Sequence, residues 1–325
     1  MKNKLPIIQS NNFLNDVVLI TGAGGTIGRE IVKRISAKTI VAVDISEYAI
    51  YKLQRGIENK NIHCVVGDVS DRKLIDLLFK KYSFDYVFNA AAYKHVDTLE
   101  DENNTYSVVK NNTLSTIYLS EFADRYGVKE MIHVSSDKAV NPTNNMGYTK
   151  LWCERIVQHY ARNSKTKFKI VRFGNVYNSA GSFVETLQWQ LDVGKPITIT
   201  DDRMMRYFLT VEDAVSLILD ISAFNDTYKT YILDMGQEVS IVELVKQLNV
   251  KNAPVEYIGI RPGEKLREEL VYDYEQLTPT DNTMISSVDW KEVDMSDNIS
   301  VLLKELGKDV VCLKTLNIII TTTIL

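Results

Sequence analysis

Short apolar runs alternate with longer segments of helical periodicity along the first half of the chain. The runs have the length and the β-branched content of buried strands. They predict strands at Asp16–Ile20, Thr39–Val43, Ile62–Val66, Asp85–Asn89, Met131–Val134 and Phe168–Arg172. Helices are predicted between them at Arg29–Ala37, Arg72–Tyr82, Tyr106–Tyr126 and Gly147–Asn163. Strands and helices that alternate at this spacing predict an α/β fold, with a Rossmann-type doubly wound parallel sheet.

The pattern changes after Arg172, where glycines and a proline separate shorter elements. Helices are predicted at Val211–Ile221 and Ser240–Leu248, and a strand is predicted at Thr230–Asp234. Ser240 is the expected N-cap of its helix, because Glu243 follows it at the capping-box position.

These elements predict a division of the chain into two parts. We expect residues 1–175 to form the Rossmann domain, with elements from about 208–235 returning to it. Residues 176–325 are expected to form mainly a smaller C-terminal α/β substrate lobe and a tail. Residues 1–15 are interpreted as a leader arm, and the apolar residues 316–325 as either a docked strand or a frayed tail.

Composition narrows the class of protein. The chain has 325 residues, of which 45% are hydrophobic and 25% charged, as in an ordinary soluble globular protein. A net charge of -4 argues against nucleic acid as a partner. Cys64, Cys153 and Cys312 lie far apart without metal-site spacing, which fits a reducing, cytoplasmic location and predicts no metal site. We find no signal peptide and no run approaching the roughly 18 apolar residues of a membrane span.

A glycine turn follows the first predicted strand. The spacing Gly22-x-x-Gly25-x-x-Gly28 lies between a strand and a helix, where glycines allow close approach of a pyrophosphate to a helix N-terminus. Asp44 ends the second strand, and a carboxylate there accepts hydrogen bonds from a ribose diol and repels a 2′-phosphate. NAD is therefore the predicted cofactor. NADP is less favoured, although Lys52 and Arg55 lie close to Asp44 in sequence.

Polar or small residues also follow the next predicted strands. Asp68 is interpreted as an adenine contact or as the cap of the next helix. The run Ala90–Ala92 places small side chains where a cofactor would lie against a strand end, although tight helix packing would favour the same residues. After the strand Met131–Val134, a hydroxyl, an acid and an amine follow in Ser136, Asp137 and Lys138. Open α/β sheets place their chemistry at such strand ends, but turn formation alone also favours these residue types.

Taken together, these motifs resemble the extended short-chain dehydrogenase/reductases. Within them, the chain resembles the polysaccharide-biosynthesis branch of UDP-N-acetylglucosamine 4,6-dehydratases. The matching segments are TGAGGTIG (21–28), DISEYAIY (44–51), AAAYKHVDTLE (90–100), SSDKAVNPTNNMGYTK (135–150), RFGNVYNSAGS (172–182), RYFLTVEDA (206–214), LDMGQEVSI (233–241) and IRPGEKLREEL (260–270). Many relatives carry a long membrane-embedded N-terminal region that this sequence lacks, so we expect an isolated catalytic domain or a naturally soluble form.

The resemblance implies a reaction and roles for four residues. UDP-N-acetylglucosamine would become a UDP-4-keto-6-deoxy-N-acetylhexosamine by oxidation at C4, elimination of water across C5 and C6, and hydride return to C6. By resemblance, Asp137 is the acid that protonates the C6 hydroxyl, and Lys138 is the base at C5. Ser136 occupies the hydroxyl position that holds the substrate, and Lys150 holds the nicotinamide ribose.

One position departs from the usual Tyr-x-x-x-Lys pair of the superfamily. Met146 lies four residues before Lys150, and a thioether neither takes nor gives a proton. Membrane-type members of the branch also carry Met there, so the change does not imply an inactive enzyme. It leaves the C4 hydroxyl without its usual base. Asp137, or a water that it orders, is the candidate substitute, whereas Tyr148 would point to a different face of the helix.

The candidate binding residues are as follows. The cofactor-binding candidates are Gly22, Gly25, Thr26, Ile27, Gly28, Asp44, Ser46, Asp68, Val69, Ala90, Ala91, Ala92, Lys94, Asn112 and Lys150. The substrate-binding candidates are Lys94, Asn175, Arg206, Arg261 and Glu264. By resemblance, Arg206 and Arg261 are the candidates for the diphosphate, and a guanidinium suits bidentate binding of phosphate. Arg261, in the motif Arg-Pro-Gly-Glu-Lys, is the most favoured.

Several alternatives stay open. The enzyme could invert C5 during the dehydration, or it could be a nucleotide-sugar 4-epimerase, against which Met146 argues. A cofactor-binding regulatory protein is the alternative outside enzymes, and the joint presence of Asp137, Lys138 and Lys150 argues against it. In similar enzymes, helices corresponding to 105–126 and 147–163 pair with a second chain, so a homodimer or larger homo-oligomer is expected.

Overall fold

The computed structural model describes residues 13–57, 61–226, 228–249, 251–308 and 313–322. Its strands are β1 (Phe13–Thr21), β2 (Ala37–Asp44), β3 (Ile62–Val66), β4 (Tyr86–Asn89), β5 (Glu130–Val134), β6 (Lys167–Arg172), β7 (Asn175–Val176), β8 (Ile197–Ile199), β9 (Met205–Arg206), β10 (Phe208–Leu209), β11 (Lys229–Leu233), β12 (Val239–Ser240), β13 (Val255–Tyr257), β14 (Thr278–Pro279) and β15 (Ile285–Asp289).

The same residues contain the following helices: α1 (Thr26–Arg34), α2 (Glu47–Gly56), α3 (Arg72–Tyr82), α4 (Val96–Leu99), α5 (Thr105–Val108), α6 (Ser115–Arg125), α7 (Asn145–Ala161), α8 (Phe183–Asp192), α9 (Val211–Ile221), α10 (Ile241–Leu248), α11 (Ser296–Leu306) and α12 (Leu313–Thr322). A π-helical segment, Val109–Leu114, joins α5 to α6, and short 3₁₀ turns lie at Glu102–Asn104 and Asp137–Ala139.

A nine-stranded sheet forms the centre of the described structure, in the order β14-β15-β11-β6-β5-β4-β1-β2-β3. The seven strands from β3 to β11 are parallel, and β15 and β14 add antiparallel strands at one edge. The strand order reverses at β1, which pairs with both β2 and β4. This confirms the predicted Rossmann-type α/β fold, and it places the binding crevice at the carboxyl ends of these strands.

Two apolar layers cover the sheet. Alternate residues of β1 point to opposite faces, so Ile20 packs in one layer and Leu19 in the other. Helices α1, α2 and α9 contribute to the first layer, whereas α3, α6 and α7 contribute to the second. Strands buried on both faces consist of nearly continuous apolar residues, which is why the sequence pattern located them well.

Differences from the predicted elements have local causes. Helix α2 was not predicted, and it begins after Ser46, whose hydroxyl accepts a hydrogen bond from the Ala49 N–H. The single helix predicted over Tyr106–Tyr126 is wrong in its middle, where Val109–Leu114 is π-helical. Ser240 caps α10 as predicted, although the Glu243 carboxylate binds Lys246.

The second half of the chain adds strands and helices to the Rossmann sheet. Strand β11 pairs with β6, and the apolar face of α9 packs in the same layer as α1. Strands β14 and β15, from the part predicted as the substrate lobe, also join the sheet. Helices α8 and α10 pack together with β8 in a separate small core. The division into two domains at residue 175 stays a prediction.

The termini differ from their predictions in the described residues. Strand β1 begins at Phe13, inside the predicted leader arm, and residues 1–12 lie outside the described residues. Of the two interpretations of residues 316–325, the docked strand is wrong for the described residues, because residues up to Thr322 form α12. Leu316 and Ile319 of α12 are buried in a cluster with residues of α5 and α7. Residues 323–325 and Cys312 also lie outside the described part of the chain. Among the described helices, none is long and apolar enough to cross a membrane.

A buried ion pair lies at the amino-terminal ends of β5 and β6. Lys169 is fully buried, its ammonium is 2.6 Å from the Glu130 carboxylate, and it donates to the carbonyls of Ile221 and Phe224 at the end of α9. Burial raises the pKa of Glu130 to about 7, although the charge of Lys169 partly opposes the shift. A carboxyl group with a raised pKa stabilises the fold in its protonated form.

Stability should therefore depend on pH through Glu130. Its contribution is present below the unfolded-state pKa and is lost as the pH rises through about 7. The free energy of unfolding of the wild type, relative to that of Glu130→Gln, should fall by about 3 kcal/mol between about pH 4 and pH 8. Urea unfolding at both pH values measures this difference. Glu47→Gln, an exposed change on α2, is the control, and parallel wild-type and Glu130→Gln curves would contradict the prediction.

Candidate active site

The glycine turn is held in a conformation that side chains would block. Gly22 has φ of 62°, and a Cβ there would lie 2.7 Å from the carbonyl oxygen of Ala90. A Cβ on Gly28 would lie 2.1 Å from the carbonyl oxygen of Gly22. The turn therefore needs glycine at both positions, and it brings the backbone close to the end of β4.

Asp44 ties the glycine turn to the next helix. Its carboxylate accepts hydrogen bonds from the N–H groups of Gly24 and Ser46, each at 2.9 Å. Ser46, a predicted cofactor contact, caps α2 with its hydroxyl. Thr26 begins α1, and its hydroxyl accepts a hydrogen bond from the N–H of Ala180 at 3.1 Å.

Asp68 does not cap the next helix, because Asp71 occupies that position and accepts from the first turn of α3. Instead, Asp68 accepts hydrogen bonds from Ser70 and pairs with Lys110 at 3.1 Å. Burial alone would raise the pKa of Asp68, but these partners outweigh it and lower the pKa. Val69 beside it is buried.

Asn112 lies in the π-helical segment and positions the chain after β4. Its side-chain oxygen accepts from the N–H of Tyr93 at 2.7 Å, and its amide group donates to the Tyr93 carbonyl and to Thr149, each at 3.0 Å. Local π-helix is frequent at functional sites, where it re-aims one turn of side chains. Asn112 thus fixes the backbone that continues from Ala90–Ala92, and its predicted cofactor contact stays a prediction.

The charged residues after β5 form a buried cluster. Asp137 is 1% exposed, and one of its oxygens accepts from the Ser136 hydroxyl at 2.8 Å and from the Lys138 ammonium at 3.0 Å. Lys138 also donates to the side chain of Asn175 at 3.3 Å and lies 3.7 Å from the carboxylate of Glu268. Burial alone would lower the pKa of Lys138, but the carboxylates of Asp137 and Glu268 raise it.

Lys150 and Met146 lie one turn apart on α7 in different surroundings. The Lys150 ammonium donates to the carbonyl of Val134 at 2.6 Å, and burial lowers its pKa. The Met146 side chain is buried in an apolar cluster with Leu99 and Trp152. The structure therefore brings Asp137, Lys138 and Lys150 to the same end of β5. Met146 packs in the adjacent apolar cluster.

The other predicted substrate residues fall into two groups. Asn175 contacts Lys138 directly, and the Lys94 ammonium donates to Ser179 at 3.2 Å, with its pKa lowered by burial. Arg206, in contrast, directs its guanidinium to backbone carbonyls, including those of Lys265 and Leu266. These bonds hold the backbone of the 265–266 turn.

Arg261 lies farther out on the surface. Its side chain is 42% exposed, and its guanidinium lies 3.2 Å from the Asp97 carboxylate. The Glu264 carboxylate accepts a hydrogen bond from the Arg261 backbone N–H at 3.1 Å. Such an exposed pair is weak, so Arg261 can exchange Asp97 for another anion.

Segments 136–144 and 261–266, each inside one of the matching motifs, bind each other. The Asn144 amide donates to the Gly263 carbonyl at 2.9 Å, and the Lys265 ammonium donates to the Val140 carbonyl at 2.8 Å. A Cβ on Gly263 would lie 2.7 Å from that of Asn144. Glu268 follows five residues after Gly263, and this close contact places it beside Lys138.

A buried arginine joins these segments to the sheet. Arg172, at the end of β6, makes two hydrogen bonds to Glu154 of α7, at 2.8 and 2.6 Å, and one to Glu275 at 2.7 Å. The Ser135 hydroxyl donates to the same Glu154 carboxylate at 2.6 Å. The Tyr272 hydroxyl donates to the Ala139 carbonyl at 2.9 Å, directly beside the candidate acid and base.

Comparison with known proteins agrees with this geometry. The family described as polysaccharide biosynthesis protein matches residues 18–289. The chain belongs to this family. In Bacillus subtilis, the probable polysaccharide biosynthesis protein EpsC is 41% identical over 276 residues, which are 81% of this chain and 46% of that protein. The chain thus spans less than half the length of that relative.

Two further relatives and one solved structure show the range of this polysaccharide biosynthesis family and its superfamily. The UDP-N-acetylglucosamine 4,6-dehydratase (inverting) of Campylobacter jejuni is 30% identical over 90% of this chain and 89% of its own. A UDP-glucose 4-epimerase of Rickettsia bellii is 32% identical over 83% and 81%. The crystal structure of Pen from Bacillus thuringiensis has a TM-score of 0.80 and 31% identity over 87% and 92% of the two chains. The predicted membership of the extended short-chain dehydrogenase/reductases is confirmed.

Sequence reasoning missed three buried charged residues around the candidate site. Glu154, Arg172 and Glu268 were not assigned roles, although Arg172 and Glu268 lie inside matching motifs. For Arg172 and Glu154 the available signal was a charged residue in an otherwise apolar run, because an ionised side chain inside a core needs a partner. Glu268 lies between charged neighbours, so it carried no such signal.

Removing the guanidinium of Arg172 should destabilise the fold and the site together. Arg172→Met leaves Glu154 and Glu275 as buried carboxylates without their shared cation. The expected loss in free energy of unfolding is about 3–5 kcal/mol, measured by urea unfolding at neutral pH. Arg203→Met removes an exposed arginine paired with Asp201 and should leave stability nearly unchanged. Equal effects of the two substitutions would show that the network is not stabilising.

Proposed function

We propose that the protein is a UDP-N-acetylglucosamine 4,6-dehydratase that uses NAD and forms a UDP-4-keto-6-deoxy-N-acetylhexosamine. The observation that carries this proposal is the buried pair of Asp137 and Lys138, 3.0 Å apart at the carboxyl end of β5. Met146 replaces the phenol that a simple 4-epimerase would use. The Campylobacter dehydratase, which matches most of the chain, supports the same reaction class.

The residues around the glycine turn fit a dinucleotide. Glycine at positions 22 and 28 permits this tight turn, because a Cβ there would collide with the backbone of Ala90 and of Gly22. Helix α1 begins directly in the turn, so its N-terminus would face the pyrophosphate. Asp44 lies where a ribose diol would bind, and Lys150 would hold the nicotinamide ribose. When bound, the nicotinamide supplies the oxidation at C4 and the reduction at C6.

Asp137 moves one proton across the sugar. As a carboxylate, it accepts the proton of the C4 hydroxyl, for which Met146 offers no group. The resulting carboxylic acid then protonates the C6 hydroxyl, which leaves as water. The Ser136 hydroxyl, 2.8 Å from Asp137, holds the carboxyl group and the substrate in place. Asp137 thereby returns to the carboxylate at the end of each cycle.

Lys138 takes the proton from C5 and later returns a proton to that carbon. This role needs the neutral amine, whereas the carboxylates of Asp137 and Glu268 raise the pKa of Lys138. A raised pKa favours the protonated form at neutral pH. Activity should therefore increase with pH as Lys138 loses its proton. The side on which C5 is reprotonated decides between a retained and an inverted product.

The direct test is incubation with UDP-N-acetylglucosamine and NAD, followed by mass spectrometry and NMR spectroscopy. We expect a product that has lost one water and carries a keto group at C4. An epimerase would give a product of unchanged mass and inverted C4, which would contradict the proposal. A regulatory protein would bind NAD and leave the sugar unchanged. The NMR coupling at C5 then distinguishes the retained from the inverted configuration.

Loss of the candidate base should block proton exchange at C5. Lys138→Met should lower the rates of water loss and of solvent deuterium uptake at C5 by about 10²–10⁴-fold. Lys195→Met, on the surface of the small lobe, is the control and should retain wild-type rates. If Lys138→Met lost less than about tenfold in deuterium uptake, Lys138 would not be the base.

A further inference from the structure

Glu268 is a buried carboxylate between two exposed charged neighbours. Its side chain is 5% exposed, whereas Arg267 and Glu269 lie at the surface. Taking a carboxylate out of water costs free energy unless it is paired with a cation or with hydrogen-bond donors. The group that neutralises the Glu268 carboxylate therefore indicates the role of this residue.

Its partner is the amine of Lys138. One oxygen of Glu268 lies 3.7 Å from the Lys138 ammonium, and the other is buried without a hydrogen-bond partner among the described residues. Asp137 has the same arrangement, with one oxygen on Lys138 at 3.0 Å and the other without a partner in the described structure. Lys138 thus lies between two buried carboxylates from distant parts of the chain.

The backbone that carries Glu268 is fixed by other contacts. Arg206 donates to the carbonyls of Lys265 and Leu266 at 2.8 and 3.0 Å. The Lys265 ammonium donates to the Val140 carbonyl at 2.8 Å. The segment therefore holds its position without the charge of Glu268, so a neutral side chain of the same shape should be tolerated.

Charged groups of both signs surround Lys138. Asp137 and Glu268 favour the ammonium form, whereas burial and the positive charge of Arg206 oppose it. Lys94 and Lys138 also repel each other across the site. Glu268 is therefore one of two carboxylates that favour the ammonium form of Lys138, whereas Glu185 acts on Lys94.

We propose that Glu268 is a positioning residue that holds the Lys138 amine in place and strengthens it as the base for C5. This inference rests on the proposed function, in which Lys138 takes the C5 proton. A carboxylate beside the amine stabilises the ammonium that forms when that proton arrives. It also keeps a negative charge next to Lys138 while Asp137 is neutral, between the oxidation at C4 and the departure of water.

The test measures the protonation of Lys138 without any substrate. The protein is labelled with acetic anhydride over a range of pH, and mass spectrometry follows acetylation of the peptide that contains Lys138. An opposite charge at this distance shifts a pKa by about 1–3 units. Glu268→Gln should therefore lower the midpoint of Lys138 acetylation by that amount. Glu269→Gln, the exposed neighbour, is the matched control and should leave the midpoint unchanged.

A second variant keeps the proposal falsifiable if Glu268→Gln fails to fold. Glu268→Asp retains the charge but withdraws it from the amine, so its midpoint should lie below that of the wild type. An unchanged midpoint in whichever of the two variants folds overturns the role of Glu268.

Turnover provides a readout that separates positioning from mere structural support. The pH at which deuterium uptake at C5 is half-maximal should fall in Glu268→Gln together with the acetylation midpoint. A purely structural role would lower the rate at every pH without moving this value, and that result would overturn the inference. A shifted acetylation midpoint in a protein that never removes water would reject the proposed function instead, and would leave the contact between Glu268 and Lys138 intact.

Discussion

The need to neutralise one buried cation, Arg172, organises the site. A guanidinium stays charged in proteins, so its burial at the end of β6 requires carboxylates from other elements. Glu154 supplies one from α7, and Glu275 supplies another from the C-terminal half. Ser135 joins the same network through Glu154. The network therefore fixes the end of β5, the middle of α7 and a distant loop relative to one another. The candidate acid and base directly follow β5.

Close backbone packing holds two remote motifs together beside this network. The segment that contains Gly263 approaches Asn144 so closely that a side chain at the glycine would collide with it. That approach carries Glu268 to Lys138, and Tyr272 to the backbone of Ala139. The short segment that contains Asp137 and Lys138 is thus completed by residues more than a hundred positions away in the chain. The loop after β13 is part of the site's interior, in addition to any contact that it makes with substrate.

The sequence pattern predicted the strands and helices whose ends are set by neighbouring residues. The predicted bounds of β3 and α3 agree with the structure, because polar or capping residues delimit each apolar run. The π-helical turn could not be predicted, since its side-chain pattern hardly differs from that of an α-helix. The choice between Asp68 and Asp71 as a cap, and between Glu268 and Glu269 as the buried acid, depends on backbone angles and tertiary contacts. No periodicity in the sequence encodes these.

Helix α12 covers apolar side chains of α5 and α7. The family match ends at residue 289, yet Leu316 and Ile319 pack in the same apolar cluster as Met146 and Trp152. The predicted pairing of helices 105–126 and 147–163 with a second chain would use part of the helical face that α12 covers. A second copy could contact the covered side chains only by displacing α12. If the predicted pairing uses that face, self-association and the packing of α12 beside Met146 compete for one surface, and any event that detaches the C-terminal helix would act on both.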